Sequence, residues 1–248
     1  MNKLNTLFVL CGNCRTFIDC IDNIYNNFIS QLFDDNYNIY IYLYLKMIDV
    51  GPKNQEGWNF TYETIDYNKV IDKINDFNNN YKNLHIEYRI METNEISDIE
   101  LFNQVKCRNL YNSGNAFGYS FDHVLLRGLH CHYNFQKCGE YTLKKEKEIN
   151  SKFNFIVYVR PDLYFTTTCD KIDNYNNDLI TLGNNFIVNF CNDHLAIIPR
   201  KYLNEFFFNR MEIYRNNTTT IFCIPEDIYK HNIPYEVNNM GSYYIKRQ

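Results

Sequence analysis

Short apolar runs alternate with amphipathic segments along this chain, and this alternation limits most strongly how it can fold. The runs have strand length, and the intervals between them carry apolar residues at helical spacing. The predicted strands are Leu4–Leu10, Asn38–Lys46, Leu84–Met91 and Phe153–Val159. The predicted helices between them start at Thr16, cover Asp66–Asn79, and cover Tyr119–Asn150 as one helix or as two helices broken near Gly139. This order predicts an α/β fold with a mainly parallel central sheet and helices on both faces.

The last third of the chain carries shorter elements. The predicted ones are strands at Leu179–Leu182 and Asn185–Phe190, a helix from Pro199, a short helix from Pro225, and a C-terminal strand rich in tyrosine. The sequence has no internal repeat, and no linker separates these elements from the earlier ones. We therefore expect one domain over residues 1–248.

Charge and hydropathy exclude several classes of protein. Lys and Arg number 25 against 29 Asp and Glu, a net charge of −4, whereas a nucleic-acid coat or a polybasic membrane binder needs the opposite sign. No apolar run approaches the roughly 20 residues that cross a bilayer. The run Leu7–Leu10 is also shorter than the apolar core of a signal peptide, about 7–15 residues. We expect a cytoplasmic protein without a transmembrane segment and without a nucleic-acid partner.

Two groups of cysteine and histidine residues raise the question of thiol or metal chemistry. Cys11 and Cys14 have C-x-x-C spacing between a predicted strand and a predicted helix, where a redox-active pair would lie. A thiol oxidoreductase is therefore an alternative function. The triplet His130-Cys131-His132 is better explained by packing, because consecutive helical side chains point about 100° apart and cannot all face one ion.

Polar side chains follow the first predicted strand, at Gly12 and Arg15. In open parallel sheets ligands bind beyond the carboxyl ends of the strands. Gly12 would let the backbone approach a ligand, and Arg15 at a helix start could bind a phosphate. The same residues also suit a tight turn with a surface arginine.

A second polar group, Arg160-Pro161-Asp162, follows the most apolar strand. In extended chain the side chains of Arg160 and Asp162 leave on the same side. The carboxylate could meet a divalent cation bridging a diphosphate while the arginine faces the phosphate oxygens. A simple ion pair at the strand end explains the pattern equally well.

A third group, Asn192-Asp193-His194, follows the predicted strand Asn185–Phe190. Asp193 is a candidate general base or a carboxylate that orients an acceptor, and it is also a candidate cap of a turn or helix. Glu226 lies in Pro225-Glu226-Asp227, which is typical of a helix start with acidic residues that complement the dipole.

Taken together, these groups resemble the GT-A-type nucleotide-sugar glycosyltransferases, in particular uncharacterised enzymes of large DNA viruses and algae. The similar segments are LFVLCGNCRTF (Leu7–Phe17), IYLYLK (Ile41–Lys46), FIVYVRPDLYF (Phe155–Phe165), NDHLAIIPRKYL (Asn192–Leu203) and PEDIYKHNIP (Pro225–Pro234). They occur in the family's order and span nearly the whole chain. The resemblance implies a GT-A-like, Rossmann-like domain that transfers a sugar from a nucleoside-diphosphate sugar to a saccharide or protein acceptor.

The resemblance also implies roles for the residues that bind the donor. Gly12 and Arg15 would lie along the nucleotide and its diphosphate. Arg160-Pro161-Asp162 would replace the family's Asp-x-Asp motif, with Asp162 as the ligand of Mn²⁺ or Mg²⁺. The first carboxylate of that motif is absent and Arg160 stands in its place, so the arginine could itself neutralise part of the diphosphate charge.

Three further residues complete the site that the resemblance implies. Asp193 would lie on the acceptor side of the sugar and act in catalysis, and Lys46 and Glu226 are additional candidates for the donor pocket. Because the first carboxylate is missing, a non-catalytic module that binds a glycan or a partner is a further alternative.

Overall fold

A seven-stranded sheet, in the order β10-β7-β8-β5-β1-β2-β3, forms the centre of the computed structural model. The structure describes residues 3–14, 16–47, 66–106, 109–110, 121–185, 190–216, 220–221, 232–238 and 240–246. The strands are β1 (Leu4–Asn13), β2 (Tyr37–Lys46), β3 (His85–Met91), β4 (Asn109–Leu110), β5 (Phe155–Val159), β6 (Leu163–Phe165), β7 (Ile180–Asn185), β8 (Phe190–Pro199), β9 (Thr220–Ile221), β10 (Tyr235–Asn238) and β11 (Tyr243–Ile245). Within the seven-stranded sheet β8 alone is antiparallel to both of its neighbours. The predicted α/β class with a mainly parallel sheet is confirmed.

Helices cover both faces of this sheet. They are α1 (Phe17–Ile24), α2 (Ser30–Leu32), α3 (Tyr67–Asn80), α4 (Asp98–Gln104), α5 (Phe121–Glu148), α6 (Leu203–Phe207) and α7 (Asn209–Asn216), and a π-helical stretch, Tyr25–Ile29, joins α1 to α2. Phe8 and Leu10 of β1 face the layer of α1 and α3, whereas Leu7 and Val9 face the layer of α5 and α6. This division follows from the two-residue period of a strand. Among the described residues no helix is long and apolar enough to cross a membrane.

The strand β1 lies at the centre of the fold. It pairs in parallel with β2 on one side and with β5 on the other, and residues 5–11 are buried. A strand covered on both faces needs a nearly continuous apolar run, which is what Leu7–Leu10 supplies. The sequence therefore predicted this strand correctly, although it continues three residues beyond Leu10.

The helix α5 runs without a break through Gly139, so the single-helix alternative is correct. A Cβ atom at Gly139 would lie 2.7 Å from the ring atoms Cε2 and Cζ of Phe208 and 2.8 Å from Cβ of Phe207. Glycine at this position lets the segment around α6 pack directly against the α5 backbone. It serves a helix–helix contact rather than a helix end.

The predicted strand Asn185–Phe190 is wrong. Asn185, the last residue of β7, pairs with Phe190, the first residue of β8, so the two cannot belong to one continuous strand. Residues 186–189 lie outside the described residues. The segment Leu195–Pro199, for which no strand was predicted, pairs antiparallel with β5. A short 3₁₀ turn, Arg200–Tyr202, then precedes α6. The apolar residues of β8 are buried by strands distant in sequence, which local patterns do not reveal.

The helix ends in the structure agree only in part with those predicted from the sequence. Thr16 does occupy the N-cap position of α1, but its hydroxyl makes no capping bond and donates to the carbonyl oxygen of Lys246 at 3.1 Å. A capping box of Ser97 and Glu100 begins α4, a helix that the sequence pattern did not predict. The tyrosine-rich C-terminal strand is confirmed as β11, which pairs with β6.

Candidate active site

Two of the predicted polar groups lie side by side at the carboxyl edge of the sheet. The register aligns Leu10 of β1 with Val159 of β5, so Gly12 of β1 comes opposite Pro161 just after β5. On the other side, Asn13 of β1 aligns with Lys46, the last residue of β2. Three neighbouring strands therefore bring to this edge, in this spatial order, Lys46, the end of β1 and the Arg160–Asp162 segment.

Gly12 is required here by the backbone. Its φ of +152° lies in a region that residues with a side chain rarely adopt, and a Cβ atom would lie 3.0 Å from Cδ of Pro161. The glycine therefore allows β1 and the segment after β5 to touch. That the same backbone lies along a nucleotide stays a prediction.

Arg160 and Asp162 form a two-bond ion pair. The Arg160 Nε donates to Asp162 Oδ1 at 3.0 Å, and Nη2 donates to Oδ2 at 2.8 Å. The Asp162 side chain is 2 % exposed and that of Arg160 is 25 % exposed. The carboxylate is therefore the buried partner and the guanidinium is the partner that reaches solvent. Charge-assisted pairs of this fork geometry are stronger and more directional than single hydrogen bonds.

The backbone of this pair is held on two sides. The Arg160 amide donates to the carbonyl oxygen of His194 in β8 at 2.9 Å. The Asp162 carbonyl oxygen accepts from the Lys246 amide, next to β11, at 2.8 Å. Pro161, between them, packs against Gly12. Both charged side chains therefore leave from backbone positions that hydrogen bonds hold in place.

The Asp162 carboxylate lies towards α1. Burial is the main cause that raises the pKa of the Cys20 thiol in α1 to about 11, and the negative charge of Asp162 acts in the same direction. Lys246, whose Nζ lies 3.2 Å from Asp19 Oδ2, partly opposes this effect on the Cys20 pKa. The negative charge of Asp162 therefore acts on a thiol in the buried layer around α1.

In this geometry Asp162 does not fit the part of a metal ligand. Both of its oxygens already accept from Arg160, and its side chain is almost fully buried. Among the described residues there is also no group of three His, Cys, Asp or Glu side chains placed to hold a metal ion. Binding of Mn²⁺ or Mg²⁺ by Asp162 stays a prediction.

A buried histidine lies near Lys46. His130 on α5 contacts Asp98 Oδ1 through Nε2 at 2.6 Å, and the Asn94 amide nitrogen lies 3.3 Å from the same ring nitrogen. Burial lowers the pKa of His130, and the positive charge of Lys46 lowers it further, whereas Asp98 acts in the opposite direction. Sequence reasoning missed Asp98 and Asn94, because nothing in their local pattern links them to a helix 30 residues away.

The side chains of His130, Cys131 and His132 point in different directions, as the helix geometry predicts. His132 is buried beside Tyr214, whose hydroxyl lies 3.4 Å from the His132 Nε2, and Cys131 between the two histidines is exposed. The three side chains face different surroundings, so the packing explanation is confirmed.

Asp193 lies within β8 rather than after a strand, so its predicted local setting is wrong. Because β8 runs antiparallel to β5 and pairs Leu195 with Val159, the first residues of β8 reach the carboxyl edge of the parallel strands. The backbone of Asp193 therefore does come to this edge, but at the beginning of a strand. Its catalytic role stays a prediction.

Cys11 and Cys14 are not arranged as a redox pair. Cys11 belongs to the core on the α5 side, and Cys14 belongs to the core on the α1 side. Both thiols are free and buried, and burial raises the pKa of Cys14 to about 11. A reactive pair needs a stabilised thiolate, and here burial disfavours the thiolate form.

Arg15 and Glu226 lie outside the described residues, as does the predicted helix start at Pro225. Their assignment to the donor pocket stays a prediction.

Comparison with known proteins gives distant structural likenesses. No protein family matches the chain, and no curated protein matches its sequence. The galactosyltransferase LgtC in complex with donor and acceptor sugar analogs has a TM-score of 0.46 at 9 % identity, over 95 % of this chain and 73 % of that one. The WbbM bifunctional glycosyltransferase gives 0.45 at 10 % identity, over 96 % and 38 %. Mouse xyloside xylosyltransferase 1 gives 0.44 at 6 % identity, over 95 % and 85 %. Likenesses this distant assign no activity.

Proposed function

We propose that this protein is a glycosyltransferase that moves a sugar from a nucleoside-diphosphate donor to a saccharide or protein acceptor. The observation that carries the proposal is the Arg160–Asp162 pair, held at the carboxyl edge of a mainly parallel sheet and next to Gly12 near the end of β1. This edge is where open α/β sheets bind ligands. The sequence segments that resemble GT-A-type enzymes include these same residues.

The charges at the edge suit a leaving diphosphate. Transfer of the sugar breaks the bond between the anomeric carbon and the diphosphate oxygen, and negative charge grows on that oxygen. Fixed cations at such a position stabilise the transition state. Arg160 after β5 and Lys46 at the end of β2 lie on either side of β1 at this edge, and Arg160 is the cation that we assign to the diphosphate.

Asp193 is the residue that we assign to the acceptor. A carboxylate within reach of an acceptor hydroxyl can remove its proton as the new glycosidic bond forms. The position of Asp193 at the beginning of β8, on the same edge as the end of β5, supports this role.

A donor-hydrolysis assay tests the proposal. The purified protein is incubated with a panel of nucleoside-diphosphate sugars, and release of nucleoside diphosphate is measured. We expect turnover of one donor, and we expect Arg160→Gln to lower it by about 100-fold, in line with loss of a fixed charge donor at a reacting oxygen. A panel in which no donor is bound or hydrolysed would refute the proposal.

The chain offers a matched control for this variant. Arg200 forms the same kind of two-bond pair with Glu146, at 2.6 and 2.9 Å, and its side chain is also 25 % exposed. This second pair lies at the opposite, amino end of β5. Arg200→Gln should therefore cost similar stability in a thermal melt while leaving turnover per folded molecule unchanged.

The same assay separates the proposal from its alternatives. A binding module would bind a glycan or a nucleotide without turnover. A thiol oxidoreductase would need two neighbouring thiols, whereas Cys11 and Cys14 belong to cores on opposite faces of the sheet, and burial raises the pKa of Cys14.

A further inference from the structure

The ion pair of Arg160 and Asp162 bears on how a diphosphate could be held. Divalent cations are bound through carboxylate oxygens that face the ion. Both oxygens of Asp162 instead accept hydrogen bonds from one guanidinium, at 3.0 and 2.8 Å. Both carboxylate oxygens are therefore directed at the guanidinium rather than at an ion.

The carboxylate cannot easily turn outwards. The amide of Arg160 is bound to His194, and the carbonyl of Asp162 is bound to Lys246, so the backbone is fixed on both sides of Pro161. The Asp162 side chain is buried, and its charge is felt at Cys20 in the α1 layer. If the carboxylate bound a metal instead, both of its hydrogen bonds to Arg160 would break, and the Arg160 charge would lose this carboxylate as its partner.

The arginine is the partner that reaches the edge. A guanidinium carries five N–H donors in a plane, and in Arg160 the Nε and Nη2 atoms donate to Asp162. Its geometry matches phosphate oxygens, and it stays charged at every working pH. A guanidinium oriented from behind by a buried carboxylate is a preorganised phosphate-binding group.

We propose that Arg160, oriented by Asp162, takes the part of a divalent cation at this site, so that the donor diphosphate binds without a metal. Asp162 is then a positioning residue that acts through Arg160 and is not a ligand. This inference rests on the proposed function and deepens it, since it says how the donor charge is neutralised.

Calorimetry with and without metal tests the inference directly. Uridine, guanosine, adenosine and thymidine diphosphates are titrated into the intact protein in EDTA and again in Mn²⁺. We expect one of them to bind in EDTA, with a Kd that Mn²⁺ changes by less than about threefold. A gain of tenfold or more in Mn²⁺ that Asp162→Asn abolishes would overturn the inference while leaving the proposed function intact.

Variants separate a positioning role from a merely structural one. Asp162→Asn should weaken binding equally in EDTA and in Mn²⁺, and it should have no further effect in the Arg160→Gln background. Additive effects of the two changes would overturn the positioning role, because residues that act through one another are not additive.

A second variant, with its own control, separates loss of the fork from misfolding. Arg160→Lys keeps the positive charge and loses the fork, and Arg200→Lys is its control at the other end of β5. We expect Arg160→Lys to lose at least tenfold in diphosphate affinity, and Arg200→Lys to lose none. Equal affinities would refute the need for the fork. If no diphosphate binds in either buffer, the proposed function fails and this inference fails with it.

Discussion

Replacement of Glu146 by glutamine should destabilise the protein strongly, because this carboxylate joins three separate parts of the chain. Its Oε1 accepts from Arg200 Nε at 2.6 Å and from the Phe153 amide at 3.0 Å, and its Oε2 accepts from Arg200 Nη2 at 2.9 Å. The side chain lies near the end of α5 and is 8 % exposed. It therefore ties α5 to the start of β5 and to the turn after β8.

The expected loss follows from these contacts. Glutamine keeps one acceptor oxygen, which can still serve Phe153, but it loses the negative charge and turns an NH₂ group towards the Arg200 guanidinium. Breaking one partner of a buried pair costs about 3–5 kcal/mol. Because Arg200 is 25 % exposed and water can reach its guanidinium, we expect about 2–3 kcal/mol. For a chain of this size that is a fall in Tm of about 4–12 °C.

Urea denaturation followed by circular dichroism measures this change. Glu148→Gln on the same helix is the control, since Glu148 is 43 % exposed and its contacts to Lys144 and Lys145, at 3.5 and 3.3 Å, are surface pairs worth at most about 0.5–1 kcal/mol. A loss for Glu146→Gln no larger than for Glu148→Gln, with an unchanged m-value, would refute the reasoning.

Three further predictions concern other parts of the fold. Gly139→Ala should destabilise by about 1–3 kcal/mol in urea although alanine favours helices, because its Cβ would lie 2.7 Å from the Phe208 ring; a gain in stability would contradict the packing account. Since burial lowers the pKa of His130 below the ordinary 6.5, the folded state binds fewer protons, and stability present above about pH 6.5 is lost as the pH falls through it. His130→Gln should reduce that loss between about pH 7 and pH 5 in thermal melts, and an identical pH profile in both proteins would exclude this role. Cys14 in the folded protein should resist iodoacetamide at about pH 8, because burial raises its pKa to about 11; rapid labelling mapped by mass spectrometry would show that its thiolate is accessible.

Much of the fold can be predicted from local sequence patterns. The strand β1 and its neighbours β2 and β5 were placed to within a few residues, and α3 to within one, because a buried strand and an amphipathic helix each impose a pattern on adjacent residues. Most of β8 was not predicted, because its apolar residues are buried by pairing with β5 and β7, and a local sequence pattern does not reveal which strands will pair.

In the candidate site, too, local sequence predicted some features and distant segments decide others. The alternation of an extended chain predicted that Arg160 and Asp162 would lie on one side, and an ion pair between them was an open alternative. The structure adds that both bonds form, that the carboxylate is the buried member, and that the backbone is held by Lys246, next to β11, and by His194 in β8. Neither contact follows from the sequence around Asp162.

The sequence by itself determined the α/β class, the order of the main strands and helices, and the polar residues that follow β1 and β5. The tertiary structure alone decided that Gly12 packs on Pro161, that Asp193 lies within β8, and that Asp162 turns inwards while Arg160 reaches the edge. The physical reason is distance along the chain. Strand formation and helical amphipathicity are set by neighbours within a few residues, whereas the burial and charge of a side chain are set by segments tens or hundreds of residues away.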